Sequence, residues 1–293
     1  MHRSTHPAPG REASAGRHAG APVTLAAVGI IPARLSSTRL PEKALQDLGG
    51  APLVVRVLER AREAKALRDV VVATDSGRIA EAVAAAGGRA VMTRADHVTG
   101  LDRVAEAAQA LRQGGDLDGG DVVVDIQGDE PFLSVGGVDA MVRLFADPEV
   151  RMTTLAAPFP PGESAGDPNR VKVVTDRAGR ALYFSRAPIP HGAGTPGAPR
   201  AGAAGAPGTG CGAGMPAPLL HIGLYAFRYD TLLELAGLPP CDLERAERLE
   251  QLRALWHGIP IHVAVGDYHS YGIDTPEGLA RARRIWEERR STG

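Results

Sequence analysis

The chain has 293 residues, of which 33 are Lys or Arg and 34 are Asp or Glu, so its net charge of -1 at pH 7 provides no global attraction to nucleic acid or to an anionic membrane. A hydrophobic content of 44% can fill the core of a large domain, and two cysteines are too few for a disulfide framework or a structural zinc site. Without a run of about 18 apolar residues to span a membrane, the composition favours a globular cytoplasmic protein that neither binds nucleic acid nor inserts into a bilayer.

Residues 1–22 contain basic and small side chains but lack the apolar stretch of a signal peptide. We predict a disordered tail here, although an upstream translation start or a processed arm would give the same composition. A single folded domain is predicted over residues 23–290.

Short apolar runs alternate along this domain with amphipathic helical patterns. The alternation is typical of βαβ units around a mostly parallel sheet whose strands are buried on both faces, so we predict an α/β fold. The predicted strands lie at residues 25–31, 69–74, 89–92, 121–126, 152–157, 171–176, 219–227 and 261–265. The predicted helices lie at residues 52–61, 78–86, 102–112, 135–146, 243–256 and 276–290.

The first predicted strand ends in a loop that collects cations and hydroxyls. These side chains are Arg34, Ser36, Ser37, Thr38, Arg39 and Lys43. Ligands of open α/β sheets bind at the carboxyl ends of the strands, so we predict a polyanion site here. The spacing matches neither a Walker A loop nor G-x-G-x-x-G, and side-chain charge rather than glycine backbone would hold the phosphates.

Two carboxylates at this edge of the sheet are candidate metal ligands. Asp129 follows the apolar run 121–126 within the motif QGDEP, and Asp274 precedes a helix with Thr275 as N-cap and Pro276 at its first position. Taken singly, Asp129 fits a solvated turn acid and Asp274 a loop acid near the positive end of a helix. Together, opposite the cations, they predict a Mg²⁺-nucleotide site, because magnesium keeps several waters and bridges phosphate oxygens.

A polar stretch at residues 93–103 leads into the helix predicted at 102–112. Thr99 and Gly100 suit the close approach of a base or phosphate to a helix start. Helix capping explains the same pattern, and the sequence leaves both explanations open.

Between His191 and Pro218, 22 of 28 residues are Gly, Ala or Pro. This composition cannot bury enough apolar surface to offset its ordering entropy, so we predict a flexible loop or lid. An inert surface insertion is the alternative.

Several motifs between Val28 and Trp286 occur in an order and spacing typical of one protein family. The motifs are IIPARLSSTRLPEKAL, VVVATD, MTRADHVTG, VDIQGDEP, PNRVKVV, ALYFSRAPIP, HIGLYAFR, LEQLRALW, IHVAV and GIDTPEGL. They resemble the 3-deoxy-manno-octulosonate (KDO) cytidylyltransferase family. YFSR, HIGLY and LEQLR together favour this branch over sialic acid or methylerythritol relatives.

The resemblance implies a Rossmann-like nucleotide-diphospho-sugar transferase fold with a smaller sugar-binding and dimerisation subregion, assembled as a homodimer. It implies transfer of CMP from CTP to KDO, with release of pyrophosphate, for lipopolysaccharide biosynthesis. Such a transfer depends chiefly on alignment and charge neutralisation. By similarity, Arg34, Arg39 and Lys43 neutralise the triphosphate, while Asp129 has a catalytic role and holds Mg²⁺ together with Asp274.

The resemblance also assigns the remaining site residues. On the nucleotide side they are Ser37, Arg94, Thr99, Gly100 and Gln127. On the acceptor side they are Arg186, His221, Tyr225, Glu250 and Gln251. From the pattern alone, Tyr225 fits a partly buried core position, His221 a strand histidine, and Glu250 and Gln251 a solvated helix face.

The chain departs from the family pattern at three places. Leu101 stands where a hydroxyl is usual, Glu42 adds a negative charge before Lys43, and the Gly/Ala/Pro stretch replaces an ordinary connection. Two alternatives therefore stay open. One is the same transfer to another 2-keto sugar acid, such as 8-amino-KDO or a nonulosonic acid, and the other is a nucleotide-binding module of this fold that does not catalyse.

A possible interface lies within residues 226–256. Leu249, Leu252, Leu255 and Trp256 form an apolar helix face that must be buried either in the core or against a second copy. The homodimer implied by the resemblance would use this region.

Overall fold

In the computed structural model, which describes residues 27–37, 39–160, 163–191, 218–269 and 271–292, nine strands form one sheet. The strands are β1 (Ala27–Ala33), β2 (Leu67–Thr74), β3 (Arg89–Met92), β4 (Val122–Asp125), β5 (Met152–Pro158), β6 (Lys172–Thr175), β7 (Ala181–Ser185), β8 (Leu219–Arg228) and β9 (Ile261–Val265). The helices are α1 (Leu53–Ala61), α2 (Gly77–Ala85), α3 (Gly100–Gln113), α4 (Val135–Leu144), α5 (Tyr229–Gly237), α6 (Asp242–Glu247), α7 (Leu252–Trp256) and α8 (Pro276–Thr292).

The strand order is β3-β2-β1-β4-β8-β5-β9, with β6 paired to β8 and to β7. Along the main path β8 runs antiparallel to both of its neighbours, β4 and β5, while the other strands share one direction. The predicted α/β fold with a mostly parallel sheet is confirmed. The antiparallel insertion of β8 brings its side chains next to the carboxyl end of β4, where ligands of such sheets bind.

Helices cover the sheet on both faces because successive strand residues point to opposite sides. In β1, Val28 and Ile30 join the buried cluster under α3 and α5, whereas Ile31 joins the cluster under α1 and α4. The expected burial of the central strands on both faces is therefore confirmed.

A third buried cluster ties α8 to the loop between β1 and α1. It consists of Leu40, Leu48, Leu53, Phe132, Ile273, Leu279 and Ala282. At the edge of this contact Gly49 has φ +63°, and a Cβ there would lie 2.1 Å from Trp286 Nε1, so only glycine fits without displacing the indole. The cluster fixes the backbone on both sides of the polar loops described below.

The predicted strands agree with the structure to within two residues, but the helix predicted at 243–256 is divided. Arg248 adopts a left-handed conformation, with φ 54°, and ends α6. The chain becomes helical again at Leu252, where α7 begins. The sequence analysis also missed β7 and α5, and α5 begins directly after β8 with no loop between Arg228 and Tyr229.

The apolar helix face predicted within residues 226–256 is only partly buried. Leu249 and Leu252 are buried in the core of the chain, whereas Trp256 is 54% exposed. No helix in the described part of the chain is both long and apolar enough to cross a bilayer. The tail at 1–22 and nearly all of the 191–218 stretch lie outside the described residues, and the single domain over 23–290 stays a prediction.

Candidate active site

A cleft of about 220 Å³, here called the charged cleft, opens at the carboxyl ends of β1 and β4. Its lining residues are Pro32, Ala33, Arg34, Ser36, Ser37, Arg39, Lys43, Ala44, Gln127, Gly128, Asp129 and Asp274. The cations of the first loop and the two predicted carboxylates thus meet in one place.

Buried neighbours in sequence position the charged side chains. Leu40 and Ala44, each 5% exposed, anchor the backbone beside Arg39 and Lys43. Ile273 is fully buried beside Asp274, and its backbone N–H donates to the carbonyl of Asp129 at 3.0 Å. The loop that carries Asp274 is therefore tied to the loop that carries Asp129.

Gly128 allows the loop after β4 to lie directly on the end of β1. A Cβ at this position would stand 2.7 Å from the carbonyl oxygen of Pro32, closer than any normal contact. The glycine in the QGDEP motif is thus required by the close approach that brings Asp129 to the first loop.

Lys43 lies between the two carboxylates. Its Nζ is 2.6 Å from Asp129 Oδ2 and 2.8 Å from Asp274 Oδ1, and Arg39 Nη2 is 3.0 Å from Asp274 Oδ2. Burial opposes the charge of Lys43, but the two carboxylates outweigh it and raise the pKa of this lysine. Burial likewise opposes the charge of Asp274, but the bonds from Lys43 and Arg39 prevail and lower its pKa. Lys43 and Asp274 are therefore both charged at neutral pH.

The donor set of the charged cleft fits a hard divalent cation. Asp129 and Asp274 converge on one point, since both lie within 2.8 Å of the same ammonium group. Mg²⁺ is commonly held by one or two carboxylates, with phosphate oxygens and water completing its octahedron. Within the described ranges no three His, Cys, Asp or Glu side chains are grouped for a metal, so substrate and water would supply the other ligands.

Glu42 points away from this cleft. Its carboxylate accepts from the guanidinium of Arg78 on α2, with Nη2 to Oε2 at 3.0 Å, and this hydrogen bond lowers the pKa of Glu42. The negative charge that the sequence places beside Lys43 is thus paired at the rim.

A second cleft of about 100 Å³, here called the acidic cleft, adjoins the first. Its lining residues are Gly100, Leu101, Asp125, Gln127, Met152, Tyr225, Phe227, Leu235, Glu250 and Gln251. Gln127 lines both clefts, which places them side by side. Two carboxyl groups face this cleft, and none of its lining side chains is basic.

Long-range pairing builds the acidic cleft. The antiparallel register of β4 and β8 sets Asp125 opposite Tyr225. The left-handed turn at Arg248 ends α6, so that Glu250 and Gln251 precede α7 and face the sheet rather than forming the solvated helix face expected from the pattern. Gln251 is only 5% exposed.

Thr99 caps α3 and also touches this cleft. Its Oγ1 accepts from the N–H of Asp102 at 3.2 Å in a reciprocal capping box, as the capping explanation predicted. Its side chain is also hydrogen-bonded to Glu250, while Gly100 in the first turn lines the cleft. The two sequence explanations for this segment are compatible.

Burial raises the pKa values of the acids of this cleft. Burial, followed by the nearby charge of Glu250, raises the pKa of Asp125 to about 7, against a weaker opposing hydrogen bond from Gln127. Burial also raises the pKa of Glu250, and that of Tyr225 lies well above its ordinary value. Sequence reasoning missed Asp125, whose only signal is a carboxyl group within the otherwise apolar end of the run 121–126.

His221 lies beside the acidic cleft without lining it. Its Nε2 is 3.0 Å from Thr154 Oγ1, and its ring packs edge-on against Phe184 with centroids 4.8 Å apart. Burial lowers the pKa of His221 to about 3, so the imidazole is neutral. This environment is that of the satisfied strand histidine considered from the sequence.

Two predicted arginines lie outside the lining of both clefts. Arg186 donates from Nε to the carbonyl of Glu247 at 2.8 Å and from Nη1 to that of Pro168 at 3.0 Å. It thereby braces the segment that leads to Glu250. Arg94 is exposed and pairs with Asp96 at 3.1 Å.

Sequence comparisons with known proteins all point to cytidylyltransferases. Residues 28–261 match the cytidylyltransferase family. A Leptothrix cholodnii protein named 3-deoxy-manno-octulosonate cytidylyltransferase is 49% identical over 262 residues, covering 87% of this chain and 89% of that protein. One of the same name from Syntrophobacter fumaroxidans is 49% identical over 253 residues, covering 86% and 93%.

Solved structures show the same likeness. A CMP:2-keto-3-deoxy-manno-octonic acid synthetase complexed with CTP has a TM-score of 0.77 and 36% identity, covering 90% of this chain and 99% of that one. A cytidylyltransferase from Leptospira borgpetersenii has a TM-score of 0.51 at 15% identity, covering 91% of this chain and 95% of that one. The second similarity concerns the fold alone.

Proposed function

This chain belongs to the 3-deoxy-manno-octulosonate cytidylyltransferase family, and from that premise we propose that it transfers CMP from CTP to KDO and releases pyrophosphate. Relatives of that name share 46–49% of their residues with it over most of its length. The structural observation that carries the proposal is the convergence of Lys43, Asp129 and Asp274 in one cleft lined by two further arginines.

In this reaction the anomeric hydroxyl oxygen of KDO attacks the α-phosphorus of CTP. The bond from that phosphorus to the bridging oxygen of the β-phosphate breaks, pyrophosphate leaves with the electron pair, and the hydroxyl proton is lost to solvent. Negative charge builds up on the leaving group, so cations placed around it lower the barrier.

Arg34, Arg39 and Lys43 are the cations that would neutralise the triphosphate. The guanidinium groups can bind phosphate oxygens in a bidentate manner. Lys43 is held in its charged form by two carboxylates at neutral pH, so it presents a positive charge at the floor of the cleft. Ser37 adds a hydroxyl donor in the same lining.

Asp129 and Asp274 would hold Mg²⁺. When bound, the ion would supply charge neutralisation at the phosphate oxygens. The chain's own contribution is to fix both carboxylates, through Gly128 and through the hydrogen bond from Ile273 to Asp129, before any substrate enters.

The acidic cleft would take the acceptor, since it lies next to the charged cleft and offers hydrogen-bond donors and acceptors. Tyr225, Glu250 and Gln251 would bind hydroxyl groups of the sugar acid, and Gln127 stands between the two substrates. The carboxylate of KDO would be directed toward the cations of the charged cleft. Roles for Arg94, Arg186 and His221 in substrate binding stay predictions.

The pathway and the oligomeric state are also part of the proposal. The product, CMP-KDO, indicates a role in lipopolysaccharide biosynthesis in the cytoplasm. A homodimer would cover two exposed apolar side chains, Trp256 on α7 and Leu182 on the adjacent β7, which are 54% and 61% exposed. Sedimentation as a monomer at micromolar concentration would contradict the dimer.

The test is pyrophosphate release with each of the four nucleoside triphosphates and Mg²⁺, with and without KDO, using Asp129→Asn as the matched inactive control. Release confined to CTP plus KDO is the expected result. Release with CTP and a different sugar acid alone would assign another acceptor, and CTP binding without turnover for any acceptor would indicate a non-catalytic module.

A further inference from the structure

The acidic cleft has a charge pattern that is unusual for the binding of a sugar acid. Asp125 is 4% exposed and shares the cleft with Glu250. The nearest cation to Glu250 Oε1 is Arg253 Nη2 at 3.6 Å, but this guanidinium donates from Nε to Glu244 at 2.9 Å and belongs largely to that carboxylate. Two full negative charges here would repel each other and an anionic acceptor.

Polar atoms in the same cleft lack partners within the described residues. Gln251 Nε2 is buried and donates no hydrogen bond there, and Glu250 Oε1 accepts none. Buried polar groups in folded proteins are nearly always satisfied, so water or a ligand must complete these two atoms. An amide donor and a carboxylate acceptor side by side suit a ligand that carries hydroxyl groups.

We propose that Asp125 is a further acceptor-binding residue that acts in its protonated form, with one proton retained by the Asp125 and Glu250 pair and the Asp125 O–H donating to an oxygen of the acceptor sugar. This proposal rests on the proposed cytidylyl transfer. Gln127 Nε2 already donates to Asp125 Oδ1 at 3.3 Å, which leaves Oδ2 to carry the proposed proton.

The surroundings of this pair support a single negative charge. In the sheet, Asp125 is paired with Ile30 of β1 and with Tyr225 of β8. The polar groups near its carboxyl are Gln127, Tyr225 and Glu250. The polar and charged groups facing Glu250 are Thr99, Asp102, Glu244 and Arg253. Arg253 is the one cation in this set, and it faces more carboxylates than it can neutralise.

The consequence is a pH dependence on the acceptor side. Burial and Glu250 raise the pKa of Asp125 to about 7, so the neutral acid falls about tenfold between pH 6 and pH 8. We expect kcat/KM for the sugar acid to fall by a similar factor above neutral pH through a rise in its KM, while the KM of CTP stays constant.

The experiment compares Asp125→Asn with wild type in CMP-KDO synthesis from pH 6 to pH 8. The asparagine amide donates as the protonated carboxyl does but cannot ionise, so the variant should stay within about threefold of wild type at pH 6 and lose the decline above pH 7. Asp121→Asn is the matched control, because Asp121 is a buried carboxyl near the other end of β4 that pairs with Arg68 and should leave the wild-type profile intact.

An Asp125→Asn enzyme with the wild-type decline, or one that is folded but inactive at every pH, would overturn the proposal. An infrared spectrum provides a readout that does not need activity: wild type should show a buried protonated carboxyl band at pH 6 that fades by pH 8 and is absent from the variant. A wild-type band missing at pH 6 would also overturn it, even if the variant does not fold. Failure of the proposed function is distinct, since wild type would then form no CMP-KDO at any pH.

Discussion

The charged cleft and the acidic cleft each contain two carboxyl groups, yet their surroundings give them opposite character. In the charged cleft, Asp129 and Asp274 contact Lys43, and the second also contacts Arg39. In the acidic cleft, burial raises the pKa values of both Asp125 and Glu250, and the nearby charge of Glu250 adds to the rise at Asp125. The difference shows that environment, rather than residue type, decides whether an acid serves as an anion or as a neutral donor.

The largest expected effect is a pH-dependent change in the free energy of unfolding that comes from Asp125 in the acidic cleft. The pKa of Asp125 rises from 3.8 to about 7 on folding, so its protonated form stabilises the fold at low pH, and this contribution is lost as pH rises from about 4 through 7. The loss amounts to about 4 kcal/mol. Asp125→Asn should therefore gain stability relative to wild type as pH rises, measured by urea unfolding between pH 5 and pH 8. A difference that does not change with pH would refute the neutral state of Asp125.

The same substitution of Asp by Asn in the charged cleft should instead lower turnover. Asp129→Asn and Asp274→Asn are each expected to lower turnover by several hundredfold or more, about 3 to 4 kcal/mol of lost charge stabilisation. Steady-state pyrophosphate release measures the effect. Asp267→Asn, at a side chain that is 95% exposed, serves as the control. Near wild-type turnover in either variant would remove that carboxylate from the site.

A third test concerns the histidine beside the acidic cleft. The pKa of His221 falls from 6.5 to about 3 on folding, so its stabilising contribution is complete above pH 6.5 and is lost as pH falls toward 3. The loss between pH 6.5 and pH 4 is about 3 kcal/mol. His221→Gln keeps a hydrogen-bonding group near Thr154 and should flatten this part of the stability profile in chemical unfolding. His269→Gln, at a side chain that is 79% exposed, should not.

The smallest effect is expected at the rim of the charged cleft. Glu42 is exposed and paired with Arg78, so Glu42→Gln should change kcat/KM for CTP by less than about fivefold. A larger gain in CTP affinity would show that the Glu42 charge acts on the triphosphate after all.

The charged cleft was predictable because its signals are local. Arg34 and Lys43 follow the first strand, Asp129 follows another, and Asp274 precedes a capped helix, so chain topology alone brings them to one edge. The parallel strands could likewise be predicted from their apolar runs. The convergence of these residues is what the structure adds.

The acidic cleft was less accessible to sequence reasoning because long-range geometry creates it. Asp125 faces Tyr225 only through the register of an antiparallel strand about 100 residues away, a pairing that no local pattern encodes. Glu250 enters the cleft because Arg248 takes a left-handed conformation that ends α6, whereas the periodicity indicated one continuous helix. The resemblance named Glu250 and Gln251, but nothing drew attention to Asp125.

The bond from Lys43 to Asp274 joins positions 231 residues apart. A triphosphate and metal that engage both residues would act as a reversible tether between remote parts of the chain. Because ligands that bind only the folded state raise its stability in proportion to the logarithm of their concentration, the cellular nucleotide concentration would change the free energy of unfolding of the whole chain as well as the occupancy of one cleft.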